Sequence, residues 1–226
     1  MDCVPDEIRT RARDWHKMKV LALELSTARG SLAWLGGGDD PIVRQWSNDR
    51  KYSGSFFENL VAVQKQFGPP DTIIVGLGPG SYAGVRITIS AAIGLQTSSH
   101  AHLVGFPSIC AMECEAKDYC VIGDARRQSF FFARIRANEL MEGPILFTES
   151  EIRDRLDTLD RNMPILASEE LSQFERVLVR YPSAAILLQI ARDPERRFVL
   201  PPLEPMYLRE PHITIPRTNL PFRVAS

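Results

Sequence analysis

The sequence lacks a strong charge imbalance, because its 226 residues carry 27 basic and 28 acidic side chains and a net charge of −1. Proteins that bind nucleic acid over a broad surface usually carry a clear excess of positive charge. Contact with nucleic acid would therefore need a local patch or the surface of a partner. The main apolar run, from about residue 83 to 99, is too short for a membrane span of about 20 residues. We therefore expect no membrane partner.

Metal-binding and secretion signals are also missing. The four histidines form neither a His-x-x-x-His nor a His-Glu-x-x-His pattern, so the metallopeptidase motif is absent. Four scattered cysteines have no histidine pair nearby to complete a zinc site, which favours reduced thiols in a cytoplasmic protein. They are Cys3, Cys110, Cys114 and Cys120. Residues 1–17 contain no apolar signal-peptide core, and we expect an N-terminal extension there.

A glycine-rich segment follows a short β-branched run at residues 72–75. Gly78 and Gly80 predict positive φ angles, and Ser81 can cap the helix that follows. No Lys-Ser or Lys-Thr pair ends the segment, so it is not a P-loop. The glycine spacing also departs from the dinucleotide-binding fingerprint. Two interpretations stay open: ordinary turn chemistry, or a strand–turn–helix shape that meets a ligand or another protein.

The predicted helix after this turn is unusual because Arg86 is its only charged residue between positions 83 and 99. Small residues lie near one another at helical spacing: Ser90, Ala91, Gly94 and Thr97. A helix without a charged face is either buried on all sides or covered by a partner. The sequence therefore allows a core helix or an intersubunit helix.

The chain divides into two halves that begin alike. Strands are predicted at 19–25, 31–35, 42–46, 72–75, 103–106, 119–123, 129–135 and 164–167, and helices at 55–67, 83–99, 108–116, 149–159, 169–180 and 183–191. Glu24 and Asp124 each lie at the end of the first strand of a predicted hairpin, which indicates an internal duplication.

Four segments together resemble the TsaB (YeaZ) family. Residues 78–87 resemble its signature, and residues 18–27, 123–127 and 204–209 resemble its opening strand, second-half turn and C-terminal box. The resemblance implies an α/β fold: a duplicated actin/sugar kinase/Hsp70-like (ribonuclease H-like) fold with a reduced second half. The expected divisions are an extension at 1–17, subdomains at 18–107 and 108–209, and a tail at 210–226.

The resemblance implies a non-catalytic subunit that binds and activates a TsaD-type protein, which forms threonylcarbamoyladenosine at position 37 of tRNA. A TsaE-type ATPase and a second copy of the chain are further expected partners, with tRNA contacted only indirectly. We expect no tightly bound cofactor and no metal, and ATP at the partner interface. The predicted partner-binding residues are Gly78, Pro79, Gly80, Ser81, Tyr82, Gly84, Val85, Arg86, Ile87, Ala91 and Gly94.

The larger fold group holds a nucleotide and its metal with an acid and hydroxyls in the first hairpin. The positions in this chain are Glu24, Ser26, Thr27 and Asp124. We expect a degenerate site, because Glu24 is longer than the usual Asp and Mg²⁺ requires near-ideal geometry. Ser26 and Thr27 can instead cap their own turn.

Other positions depart from the family pattern, and these are Tyr52, Ala83 and Thr88. The alternative function is a free-standing ATP-using enzyme, or a peptidase-like protein, of the same fold. Glu24 and Asp124 are the acids that such an enzyme would have available.

Overall fold

The computed structural model describes residues 18–36, 40–48 and 53–209. The predicted extension at 1–17 with Cys3, the tail at 210–226, and Tyr52 lie outside these ranges. The strands are β1 (Val20–Glu24), β2 (Arg29–Leu35), β3 (Ile42–Ser47), β4 (Thr72–Gly76), β5 (His102–Phe106), β6 (Asp118–Asp124), β7 (Ser129–Arg136), β8 (Glu139–Thr148), β9 (Ile165–Ala167) and β10 (Val177–Val179). The α-helices are α1 (Gly54–Phe67), α2 (Tyr82–Ser99), α3 (Glu149–Asp157) and α4 (Ala184–Ala191).

Two five-stranded sheets share one topology. The first has the order β3-β2-β1-β4-β5, and the second has the matching order β8-β7-β6-β9-β10. In each sheet the first three strands along the chain pair antiparallel. The fourth strand pairs parallel with the first, and the fifth pairs parallel with the fourth. α1 and α3 occupy the same place in the two repeats, between the third and fourth strands. The structure thus confirms the duplicated α/β fold.

The second repeat is reduced, because no helix joins β9 to β10 as α2 joins β4 to β5. The helix predicted over residues 169–180 is therefore wrong. Leu171 and Phe174 from this segment are buried against the second sheet, and Val177–Val179 pairs with β9 as a strand. The side chains fill the space without helical periodicity, and the β-branched residues of β10 suit an extended backbone.

The helix predicted over residues 108–116 is also too long. Only Ser108–Ala111 is helical, as a short 3-10 turn, and Met112 is extended. The chain leaves the helix because Met112 bridges to Pro182 and the Glu113 N–H donates to the Tyr181 carbonyl at 3.0 Å. Pairing with the segment before α4 replaces the intrahelical hydrogen bonds.

The core lies partly within each repeat and partly between the two. α1 buries Phe56, Leu60 and Val63 against the first sheet. α4 packs against β1, β2 and β4 of the first sheet, and the Ala184 N–H donates to the buried Ser31 hydroxyl at 2.9 Å. The C-terminal part of the chain therefore joins the two repeats. Across the three described ranges, no helix has the length and apolar character needed to cross a bilayer.

Candidate functional site

A cleft of about 520 Å³ lies between the two repeats, beyond the carboxyl ends of β1, β4, β6 and β9. Its polar wall includes Ser26, Thr27, Ser81, Ser108, Asp124, Arg126, Ser168, Glu169 and Arg209. Tyr82 and Tyr207 stand on the same lining. In open α/β sheets, ligands bind beyond the carboxyl ends of the strands. The cleft is thus the natural place for a ligand in this fold.

The glycine turn after β4 forms one wall of this cleft. Gly78 has φ +90°, which confirms the predicted left-handed conformation. The turn is anchored to the chain after β5, because the Gly78 N–H donates to the Ser108 hydroxyl at 2.9 Å and the Ser108 N–H donates to the Gly78 carbonyl at 2.8 Å. Ser81 accepts a hydrogen bond from the Gly84 N–H at 3.3 Å, as predicted for a helix cap.

Gly80 is required for a different reason from the one predicted. Its φ lies outside the left-handed region, so the predicted positive φ is wrong. A Cβ at Gly80 would lie 2.1 Å from the Ser26 carbonyl oxygen, and a Cβ at Gly84 would lie 2.1 Å from the Leu25 carbonyl oxygen. The Ser81 N–H also donates to the Ser26 carbonyl at 2.5 Å. The glycines thus let the start of α2 contact the backbone of the first hairpin.

Glu24 does not face the cleft. Its side chain is fully buried, and Oε1 accepts a hydrogen bond from the Ser26 N–H at 2.6 Å. Oε2 has no well-formed hydrogen bond among the described residues. Burial raises the pKa of the Glu24 carboxyl, and weaker polar contacts with Ser26 and Ser108 act in the opposite direction. A buried carboxyl bonded to its own turn fits the local structural interpretation of this residue.

The hydroxyls of the first hairpin differ from each other. Thr27 Oγ1 donates to the Arg29 carbonyl at 3.1 Å, which stabilises the turn locally as predicted. Ser26 is almost fully buried, lines the cleft, and its hydroxyl has no hydrogen-bond partner within the described part of the chain. A buried hydroxyl without a partner is unfavourable. The Ser26 hydroxyl is instead close enough to the buried Glu24 carboxyl to lower the pKa of that carboxyl.

Asp124 occupies the matching position in the second repeat, and it does line the cleft. Oδ1 accepts from the Arg126 N–H at 2.6 Å, and Oδ2 pairs with Arg126 Nη1 at 3.1 Å. The Asp124 N–H donates to Glu169 Oε1 at 3.1 Å. The structure therefore brings Ser26, Thr27 and Asp124 to one cleft and leaves Glu24 behind its wall.

The predicted partner-binding residues separate into two groups. The cleft wall holds Pro79, Gly80, Ser81, Tyr82 and Val85, and Gly78 and Gly84 lie next to it without lining it. The outer side of α2 holds Arg86, Ile87, Ala91 and Gly94, with Arg86 and Gly94 exposed. The opposite side of α2 buries Val85, Thr88, Ile89 and Ala92. The helix is thus neither wholly core nor wholly exposed.

The outer side of α2 continues onto α1 as an apolar surface. Phe57 and Val61 on α1 and Ile93 on α2 are each 45–47% exposed. A shallow groove between the helices is lined by Phe57, Arg86, Ile87, Ser90 and Ala91. We call the residues Phe57, Val61, Arg86, Ile87, Ser90, Ala91, Ile93 and Gly94 the α1–α2 surface.

Tyr207 is a residue to which the sequence assigns no role. Its ring packs against that of Tyr82 with a centroid distance of 5.6 Å, and Arg86 Nη1 donates to the Tyr82 hydroxyl at 2.6 Å. The signal for this contact is present in the sequence, since residues 78–87 and 204–209 both resemble family motifs. Sequence alone does not show that the two motifs touch.

No group of three His, Cys, Asp or Glu side chains within the described residues is arranged to hold a metal ion. The described cysteines are free thiols. Burial raises the pKa of Cys110 to about 12 and that of Cys120 to about 11. Both thiols are therefore protonated at neutral pH.

Comparisons with known proteins agree with this geometry. The crystal structure of an uncharacterized protein with similarity to peptidase YEAZ from Pseudomonas aeruginosa has a TM-score of 0.65 at 20% identity, covering 85% of this chain and 100% of that chain. YeaZ from Pseudomonas aeruginosa has a TM-score of 0.60 at 16% identity, covering 76% of this chain and 90% of that chain. These similarities establish the YeaZ fold.

Sequence comparison gives the family. An uncharacterized Mycobacterium leprae protein is 27% identical over 149 residues, which are 62% of this chain and 38% of that protein. This chain thus spans well under half the length of that relative. The protein-family model described as TsaD: tRNA N6-adenosine threonylcarbamoyltransferase matches residues 58–207. The chain therefore belongs to that family, and its fold is the YeaZ (TsaB) fold that its sequence motifs resemble.

Proposed function

We propose that this protein is a non-catalytic subunit that binds and activates a TsaD-type protein in the formation of threonylcarbamoyladenosine at position 37 of tRNA. The family supports a role related to tRNA modification. The observation that carries the proposal is the α1–α2 surface. Apolar side chains are contiguous there on two neighbouring helices, and such patches mark protein interaction sites more often than isolated exposed residues do.

The composition of this surface suits an interface. Phe57, Val61 and Ile93 provide apolar area, while Ala91 and Gly94 leave little side chain between the α2 backbone and a partner. A Cβ at Gly94 would meet nothing within 4 Å, so the helix is open to a close approach there. A specific interface buries roughly 1,600 Å² in total, or about 800 Å² on each partner.

The acids in the first hairpin of each repeat support a non-catalytic role. Glu24 is buried and bonded to its own turn, so its carboxylate does not reach the cleft. Asp124 reaches the cleft, but both of its oxygens are engaged by Arg126. In this proposal the catalytic groups belong to the TsaD-type partner, and this chain binds the partner and holds it in an active conformation.

The wider assembly follows from the same proposal. A TsaE-type ATPase acts as a third protein, ATP lies at the interface with the partner, and tRNA is contacted through the complex. A second copy of this chain is a further partner, and the homodimer competes with the complex. These expectations rest on the resemblance to TsaB, and binding experiments with the purified proteins test each of them.

A charge inserted into the surface tests the proposal. Gly94→Arg places an unpaired charge on an exposed position with free space, so the chain should fold with little change in Tm. A buried unpaired charge costs several kcal/mol, so affinity for the TsaD-type protein of the same source should fall by about 100-fold or more. Calorimetry on the two purified proteins, with and without ATP, measures this.

Ser172→Arg is the matched control. Ser172 is also small, neutral and exposed, but it lies between β9 and β10 of the second repeat. This variant should bind the partner as the wild type does. A folded Gly94→Arg protein with full affinity, or an equal loss in both variants, would show that the partner does not use the α1–α2 surface.

A further inference from the structure

Arg86 is the one charged side chain on α2, and it lines the groove of the α1–α2 surface. Its Nη1 donates to the Tyr82 hydroxyl at 2.6 Å, and its guanidinium carbon lies 5.0 Å from the centre of the Tyr82 ring. Among the described residues, no carboxylate forms a salt bridge with it. Arg86 is thus held in place by neutral groups alone.

A neutral neighbour fixes the position of the guanidinium without neutralising it. Tyr82 is itself packed against Tyr207, so the arginine side chain is restrained before any partner arrives. Restraint of this kind reduces the conformational entropy lost on binding. The charge becomes costly when a partner covers the apolar groove, unless that partner brings a carboxylate. Guanidinium and carboxylate groups match in bidentate geometry.

A second copy of the chain meets this requirement poorly. α2 contains no acidic residue, and the single acid of α1 is Glu58, which is exposed but does not line the groove. In a symmetric pair formed by the same surface, both copies also bring an Arg86 to the contact. The like charges and the missing acid on α2 both disfavour self-association there.

We propose that Arg86 determines the specificity of the α1–α2 surface, by pairing with an Asp or Glu side chain on the TsaD-type partner and by disfavouring a second copy. This inference rests on the proposed function and adds the chemistry that the partner must present. Tyr82 and Tyr207 act as positioning residues for the arginine.

Arg86→Met tests the inference, because methionine keeps much of the apolar stem and removes the charge. Affinity for the TsaD-type protein should fall by roughly 30-fold or more, as for other charge pairs that lose one partner at an interface. Self-association, measured by sedimentation, should be unchanged or stronger. Arg86→Lys, which keeps the charge without the bidentate geometry, should lose less affinity, and Tyr82→Phe should lose least.

The outcomes separate cleanly. If Arg86→Met and the wild type bind the TsaD-type protein equally, the inference is overturned while the proposed function stands. If Arg86→Met weakens self-association as much as partner binding, and Glu58→Gln weakens self-association too, the carboxylate belongs to a second copy and the inference is again overturned. If the wild type itself does not bind the TsaD-type protein, the proposed function fails and the inference fails with it.

Discussion

The connections that follow β4 and β9 differ, although the two strands hold the same place in matching sheets. After β4 the chain has Gly78 and Gly80 and then the 18-residue α2, whose first turn contains Gly84. After β9 it has neither a glycine nor a helix before β10, and Leu171 and Phe174 fill the space instead. Two sheets with the same strand order can thus carry different surfaces. The surface depends on how closely the segment after the fourth strand approaches the first hairpin of its repeat.

The difference explains why the apolar surface lies on the first repeat. Backbone contact at Gly80 and Gly84 seats the start of α2 against the first hairpin, so the rest of the helix runs beside α1 with its outer side exposed. In the second repeat, α3 has no such neighbour, and its exposed residues include the Glu149–Arg153 ion pair. The first repeat therefore offers a partner an apolar surface, and the second offers a charged helix.

The largest expected effect on stability comes from placing a side chain in the backbone contact between the start of α2 and the first hairpin. Gly84→Val or Gly80→Val adds a Cβ that would lie 2.1 Å from a carbonyl oxygen of the first hairpin, and backbone cannot move aside as a side chain can. We expect a loss of about 3 kcal/mol or more of unfolding free energy, at the upper end of overpacking effects. Urea denaturation followed by circular dichroism measures it.

Ser168→Val provides the control in the second repeat. Ser168 follows β9 and is half-buried on the cleft wall. The change should cost less than about 1 kcal/mol, because Ser168 already carries a Cβ and valine introduces no new contact between a Cβ and the backbone. Similar losses in both repeats would contradict the idea that backbone contact distinguishes the two connections.

The sequence predicts the parts of this fold that have strong local signals. The strand, glycine turn and helix at residues 72–99 were predictable because β-branched residues, glycines and an apolar run follow one another. The reason for Gly80 was not predictable, since a contact with Ser26 links residues 54 positions apart. The helix predicted at 169–180 failed because the burial of Leu171 and Phe174 outweighed local helix preference.

The two hairpin acids form a second comparison. Glu24 and Asp124 each accept a hydrogen bond from the N–H two residues later, at 2.6 Å in both cases. Glu24 is fully buried, whereas Asp124 lines the cleft beside the exposed Arg126. The sequence predicts their equivalence but not their different burial, because the burial of Glu24 depends on Gly76 and Ser108, which are distant from it in sequence.

An intermediate effect should come from the titration of Glu24. The unfolded carboxyl ionises near its usual pKa of 4.5, and burial raises the pKa in the folded protein. Between these two values the folded protein binds more protons than the unfolded chain, so the contribution of Glu24 to stability is lost as pH rises. Glu24→Gln does not titrate, so its stability relative to wild type should increase from pH 4.5 to pH 8. The gain is about 1.4 kcal/mol for each unit by which the pKa is raised.

Asp124→Asn sharpens this comparison. It removes one partly exposed ion pair with Arg126, which contributes at most about 1 kcal/mol, and Asn can still accept the Arg126 N–H. Chemical denaturation of both variants and the wild type at several pH values is the measurement. If the Glu24→Gln difference stays constant from pH 4.5 to 8, the carboxyl titrates alike in the folded and unfolded states, and its burial has no electrostatic consequence.

The smallest expected effect separates the glycines of α2 from one another. Gly94 lies in the interior of the helix, is exposed, has a φ outside the left-handed region, and would give a Cβ nothing to meet within 4 Å. Alanine is favoured over glycine inside a helix by up to about 1 kcal/mol, so Gly94→Ala should stabilise the free protein and raise its Tm by about 1–4 °C. Gly84→Ala, in the same helix, should lower the Tm because its methyl group meets the Leu25 carbonyl. A scanning calorimetry comparison of the two variants decides the matter. If both variants shift the Tm in the same direction, either helix propensity or packing alone governs α2. The distinction between a close backbone contact at Gly84 and an open position at Gly94 is then wrong.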